Sequence, residues 1–170
     1  MKHNQTYHIA IYGLGIAIVF ISTMFIQIPI PLGYANLGNC FVFLFAMFLD
    51  EKAGFIIGGV GSALADLLGG WSMWAIPTFF LKGLMGYLVG IIGKKEVTSL
   101  RSPYLLLASL TGTLEGIIGY TLVGATIYHS LPTGLTQAPG LIVEGIVNMV
   151  AFYIIYSALN AGKVKQLFKR

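Results

Sequence analysis

Charge is what this sequence has least of. Ten Lys and Arg and six Asp and Glu supply 9% of its 170 residues, while 56% are hydrophobic. Soluble globular chains carry about 25% charged residues. A water-soluble fold needs a polar shell, and this chain cannot furnish one. Disorder is excluded by the same shortage of polar residues. Cysteine is nearly absent as well. Cys40 stands alone, which rules out a disulfide scaffold. The three histidines, His3, His8 and His129, are scattered, with no H-E-x-x-H and no cysteine partner, so no metal site is expected.

Catalytic frames are missing too. No phosphate loop of the form G-x-x-x-x-G-K-S/T exists, because Gly90-Ile91-Ile92-Gly93-Lys94-Lys95 lacks the spacing. ATP hydrolysis by this chain alone is therefore not expected. Gly13-Leu14-Gly15 lies in an apolar run with no preceding strand, so it is no dinucleotide fingerprint. Ser62 lacks the G-x-S-x-G frame and a histidine at its depth. By elimination a transport or binding role is favoured over catalysis.

What the chain does have is long apolar runs. A transmembrane helix needs about 20 apolar residues to cross about 30 Å of hydrocarbon. Six segments are expected to form an all-α bundle in one membrane domain: about 9–28, 37–49, 53–68, 76–92, 103–125 and 139–159. The second is short, and so is either tilted or begins in an outer loop. The runs are continuous rather than alternating, which argues against a β-barrel. The first is too long for a signal-peptide core and lacks a small-residue cleavage site, so it is read as retained.

Orientation follows the placement of cations. With the N-terminus in the cytoplasm, Lys2, Lys52, Lys94, Lys95, Arg101, Lys163, Lys165, Lys169 and Arg170 all fall on the inner side. The outer loops, roughly 29–36, 69–75 and 126–138, hold no Lys or Arg. Both termini are therefore expected in the cytoplasm. The basic tail reads as an anchor toward anionic lipid, not a nucleic-acid patch. In the outer loops, Ile28 to Tyr34 is stiff and apolar, and Trp71, Met73 and Trp74 are either interfacial anchors or part of a wall over a pocket.

Four charges fall inside spans: Asp66, Lys82, Glu115 and Glu144. Such charges are expensive in hydrocarbon and usually face an interior site, although a helix-to-helix ion pair is the competing reading. Lys82 lies ~9 Å and Glu144 ~8 Å below the outer boundary at 1.5 Å per residue, so they can pair or share a ligand. Asn148 lies one turn below Glu144 on the same face. Glu115 falls near the middle of its helix. Small residues extend the charged faces: Gly54, Gly58, Ser62 and Asp66 form one stripe, Lys82, Gly86 and Gly90 a second, Glu115 and Gly119 a third. Four-residue spacing of small side chains lets helix backbones approach closely. On the uncharged first helix, Gly13 and Ala17 serve either packing within the bundle or docking of another membrane subunit.

Several stretches then resemble a known family. They are Ile28-Pro29-Ile30-Pro31-Leu32-Gly33, Leu37-Gly38-Asn39, Asp50 to Gly58, Gly61 to Leu68, and above all Pro77-Thr78-Phe79-Phe80-Leu81-Lys82-Gly83-Leu84-Met85-Gly86. In this order they resemble the substrate-binding S component of energy-coupling factor (ECF) vitamin transporters, over nearly the whole chain. The resemblance implies a multi-pass protein of a bacterial cell membrane, with a vitamin pocket near the outer face covered by the first and fifth outer segments. It implies a partner complex of one membrane coupling subunit and two ATPases. ATP and magnesium are then handled by those ATPases, and this chain binds no cofactor. The family's A-x-x-x-A docking motif maps onto Gly13 and Ala17, with glycine at the first place and Ala10 in the same docking set.

The sequence is most similar to S components assigned to hydroxymethylpyrimidine or pyridoxine. A small aromatic heterocycle would stack on Trp74 or Tyr34 and bond Asp66, Lys82, Glu144 or Asn148, with Asn39 and Glu115 also in the expected binding set. The intramembrane acids alone leave a proton-coupled permease as the alternative. Packing pairs in a structural subunit are a third reading.

Overall fold

The computed structural model describes residues 2–93 and 102–161. Lys94, Lys95, Arg101, Lys163, Lys165, Lys169 and Arg170, which carry most of the orientation argument, lie outside the described residues. The order of elements is α1 (Lys2–Met24), β1 (Ile28–Ile30), β2 (Gly33–Ala35), α2 (Gly38–Phe48), α3 (Glu51–Leu68), α4 (Ser72–Gly93), α5 (Pro103–Ile127), the five-residue α6 (Leu131–Leu135) and α7 (Ala138–Ala161). The expected helical bundle is thus present. Four stretches, Thr6–Met24, Ser72–Gly93, Pro103–Ile127 and Leu131–Asn160, are long and apolar enough to cross a membrane. α3 has 18 residues, about 27 Å at the helical rise, but carries Glu51, Lys52 and Asp66.

Three boundaries differ from expectation. α1 stops at Met24 instead of reaching residue 28, because Pro29 drives the residue before it out of helical geometry. The segment read as a stiff loop is instead a hairpin, with Ile28 opposite Ala35, Pro29 opposite Tyr34 and Ile30 opposite Gly33. Pro31 and Leu32 make its two-residue turn, and Leu32 takes φ 64° there. Proline followed by a residue of positive φ is a type II arrangement, usually completed by glycine. α4 begins at Ser72, four residues before the expected start, so Trp74 belongs to a helix and not to a loop. Pro77 sits in its second turn, where it forfeits one backbone bond.

The short α2 is the centre of the bundle. Nine of its eleven residues are buried, among them Val42, Phe43, Leu44 and Met47. A helix that is apolar all round is one surrounded by protein. Its length therefore need not match the bilayer. Phe43, Phe48, Met85, Val89, Leu105, Phe152 and Tyr156 pack with it into one apolar cluster, and Val19, Val42, Ala53 and Ile57 into another. α3 and α4 form the most extensive helix pair. Their small-residue stripes meet face to face. A Cβ at Gly54 would stand 2.6 Å from the Gly86 carbonyl oxygen, and one at Gly58 would stand 2.8 Å from that of Lys82. This close approach carries Ser62 and Asp66, farther along the α3 stripe, to the same wall as Lys82.

Candidate functional site

A cavity lies at the hairpin end of the bundle. It holds about 460 Å³ of atom-free space, its open mouth included. The hairpin covers it with Ile30, Leu32, Gly33 and Tyr34. Thr23 of α1, Ser62 and Asp66 of α3, and Trp74, Thr78 and Lys82 of α4 form its walls. Tyr120, Gln137, Leu141 and Glu144 close the far side, with Trp71 and Asn36 at its edges. The apolar clusters fill the other half of the bundle, so the polar residues gather at one end.

Two linked polar networks line it. In the first, Lys82 Nζ donates to Asn39 Oδ1, Asn39 Nδ2 donates to Glu144 Oε1 at 3.1 Å, and Lys82 Nζ stands 3.9 Å from the same carboxylate oxygen. The Lys82 ammonium also lies 5.0 Å from the centre of the Tyr120 ring. Glu144 thus meets the first turn of α2 through the Asn39 side chain. In the second network, Tyr34 OH donates to Asp66 Oδ1 at 2.5 Å and Tyr120 OH donates to Thr78 Oγ1 at 3.1 Å. Thr78 and Asp66 line the same wall. Burial and the neighbouring Asp66 charge push the Tyr34 phenol well above its ordinary value, so it stays a donor.

Aromatic rings stand on two sides. Tyr34 and Trp71 have centroids 5.7 Å apart, and Trp74 and Tyr120 have centroids 5.9 Å apart. A flat heterocycle entering this chamber meets π-faces, two carboxylates and hydroxyls. One ammonium is present, already held by Asn39, Glu144 and the Tyr120 face.

The structure places the expected residues as follows. Tyr34, Asp66, Trp74, Lys82 and Glu144 line the cavity. Asn39 stands directly behind it, bridging Lys82 and Glu144. Asn148 stands apart from the cavity lining and is fully buried. Its Oδ1 accepts from Cys40 N at 2.9 Å, and its Nδ2 donates to Asn36 O at 2.7 Å and Glu144 O at 2.9 Å. That is a cap supplied to α2 from α7, because Cys40 N is among the amides a helix start leaves unpaired. Glu115 also lies away from the cavity. Its carboxylate is buried beside Gly119 and has no hydrogen-bond partner among the described residues. Ala10, Gly13 and Ala17 share the exposed face of α1, and nothing lies within 4 Å of a Cβ built at Gly13.

Residue reasoning missed Thr23, Asn36, Thr78, Tyr120 and Gln137. Thr78 sits one turn before Lys82, a usable signal, and Ser62 already belonged to the α3 stripe. Gln137 comes from the α6–α7 junction and donates from Nε2 to Tyr120 O at 3.2 Å, a contact with no sequence signature.

A helical membrane bundle with a half-closed polar chamber at one end defines a class: integral membrane proteins that hold a small solute. Residues 3–161 match the model of the ECF-type riboflavin transporter S component family, and the chain belongs to that family. A protein of Pyrococcus woesei, named an uncharacterized protein in the gap 3′ region, is 37% identical over 112 residues, 65% of this chain and 73% of that one. A UPF0397 protein of Lactobacillus helveticus is 28% identical over 170 residues, covering 91% and 89%. A UPF0397 protein of Streptococcus agalactiae is 27% identical over 161 residues, covering 88% and 86%. The chain is therefore the non-catalytic, substrate-capturing subunit of an ECF transporter, a multi-pass cell-membrane protein that works with an ECF module of membrane and ATPase subunits.

Proposed function

We propose that this subunit captures a small, uncharged or cationic aromatic heterocycle of the hydroxymethylpyrimidine or pyridoxine kind from the outer face. The observation that carries the reading is the chamber itself. Trp71, Trp74, Tyr34 and Tyr120 offer stacking faces, and Asp66 and Glu144 offer acceptors, against one ammonium already engaged by its neighbours. Aromatic stacking is worth about 0.5–1.5 kcal/mol per pair beyond buried area. A ligand edge that donates to Asp66 adds a charge-assisted bond. Two acids against one Lys disfavour an anionic ligand. Riboflavin is the second reading, supported by the description of the matching family.

Delivery then depends on one membrane coupling subunit and two ATPases, which bind the ATP and magnesium. The face of α1 bearing Ala10, Gly13 and Ala17 is the docking surface in this reading, supported by its exposure. The test is calorimetric titration of the purified chain with pyridoxine, hydroxymethylpyrimidine, thiamine and riboflavin. Submicromolar binding of pyridoxine or hydroxymethylpyrimidine is expected. Tight binding of riboflavin alone selects the second reading, and no binding below micromolar concentration rejects the substrate class.

A further inference from the structure

Most polar groups in the chamber wall have a protein partner. Tyr34 bonds Asp66, Tyr120 bonds Thr78, Lys82 bonds Asn39, Gln137 bonds the Tyr120 carbonyl, and Asn36 Oδ1 accepts from Gly38 N. Three do not. Thr23 Oγ1, Ser62 Oγ and Trp74 Nε1 are buried and have no hydrogen-bond partner among the described residues. Their side chains come from α1, α3 and α4, and all three line the same space. Thr113, Thr121 and Tyr156 also carry unpartnered hydroxyls, but these residues do not line the cavity.

The ordinary escape for a helical hydroxyl is the carbonyl one turn back. Ser22, Ser109 and Thr126 each take it, at 2.8, 3.1 and 2.9 Å. Thr23 and Ser62 do not, although both lie in helices. The Trp74 indole N–H can only donate. Leaving such groups unpaired costs about 1–3 kcal/mol each.

We infer that Thr23, Ser62 and Trp74 Nε1 are direct ligand contacts, so that the ligand carries an acceptor aimed at the indole as well as donors for Asp66. This rests on the chamber being the substrate site. It narrows the substrate to a heterocycle that carries a ring or carbonyl acceptor beside its donor groups. Trp74 then recognises the ligand by its N–H and not merely by its ring face.

The experiment uses the full chain in detergent with Thr23→Val, Ser62→Ala and Trp74→Phe, each removing one polar atom. Affinity for pyridoxine, hydroxymethylpyrimidine and riboflavin is measured beside the ligand-free melting temperature. Each variant is expected to bind the best of these probes about 5- to 150-fold more weakly, the unpaired-group penalty converted at 1.4 kcal/mol per decade. Ligand-free Thr23→Val and Ser62→Ala are expected to melt at or above the parent, because no protein bond is lost. Trp74→Phe also loses ring area for stacking, so only its unchanged affinity is decisive, against the N–H contact, and the two hydroxyl variants carry the positive test. Unchanged affinity, or a clear fall in the ligand-free melting temperature of both hydroxyl variants, overturns the inference. If no probe binds the parent, the substrate class fails separately. The contacts are then judged by the two melting temperatures and by native mass spectrometry of co-purifying small molecules. Loss of such molecules from the variants supports the contacts, and equal retention overturns them.

Discussion

Glu144→Gln leaves the shape of the chamber intact and removes one charge. Lys82 would keep Asn39 and the Tyr120 face but lose the carboxylate 3.9 Å away. Both side chains are about 95% buried, so little solvent screening is available. Breaking a buried pair by removing one partner costs about 3–5 kcal/mol, because the remaining charge is left uncompensated. At about 2–4 °C per kcal/mol for a chain of this size, the ligand-free melting temperature in detergent should fall by roughly 10 °C. Lys82→Met should cost a similar amount, since Glu144 then keeps only the Asn39 amide. The double variant Lys82→Met/Glu144→Gln removes both charges at once. It should recover much of the loss, with a coupling well above the ~0.5 kcal/mol expected of independent sites. Thermal melting of the four proteins closes the cycle. Additive losses, or a parent-like melting temperature for either single variant, would refute the view that these two residues neutralise each other in the chamber wall.

Other expected outcomes follow from separate contacts. Tyr34→Phe removes the donor to Asp66, a bond to a charged group worth about 1.5–3 kcal/mol, and should speed amide exchange in residues 28–35 relative to the helices. Gly58→Ala puts a methyl 2.8 Å from the Lys82 carbonyl oxygen, and the overpacking should destabilise the chain by about 1–3 kcal/mol in denaturant titration. Gly13→Leu and Ala17→Leu change an exposed face, so ligand affinity and melting temperature should hold while uptake by the reconstituted complex is lost. Normal uptake in both would remove that face from the docking surface.

Much of the architecture was open to sequence reasoning because it rests on local regularities. A helical hydrophobic run must find apolar surroundings wherever it lies, so the shortage of charge alone sets the membrane class. The four-residue spacing of Gly54, Gly58, Ser62 and Asp66, and of Lys82, Gly86 and Gly90, holds on any helix. Their backbone-to-backbone meeting in α3 and α4 follows from it. Counting residues from the same end of two helices was enough to place Lys82 and Glu144 at one level.

Other features depended on which elements become neighbours. The hairpin arises where Pro29 and Pro31 forbid helix and the returning strand supplies a partner, and its Leu32 is read from the sequence as an ordinary loop residue. Asn148 has the spacing of a site residue, yet α2 starts beside it and its amide is taken up by the cap. Glu115 shares a helix with Tyr120, but only Tyr120 reaches the chamber. Residue spacing along one helix thus determined the class, the stripes and the depth of the buried charges. The choice among equally polar side chains belonged to the tertiary structure, because a hydrogen bond between distant segments leaves no periodic trace in either of them.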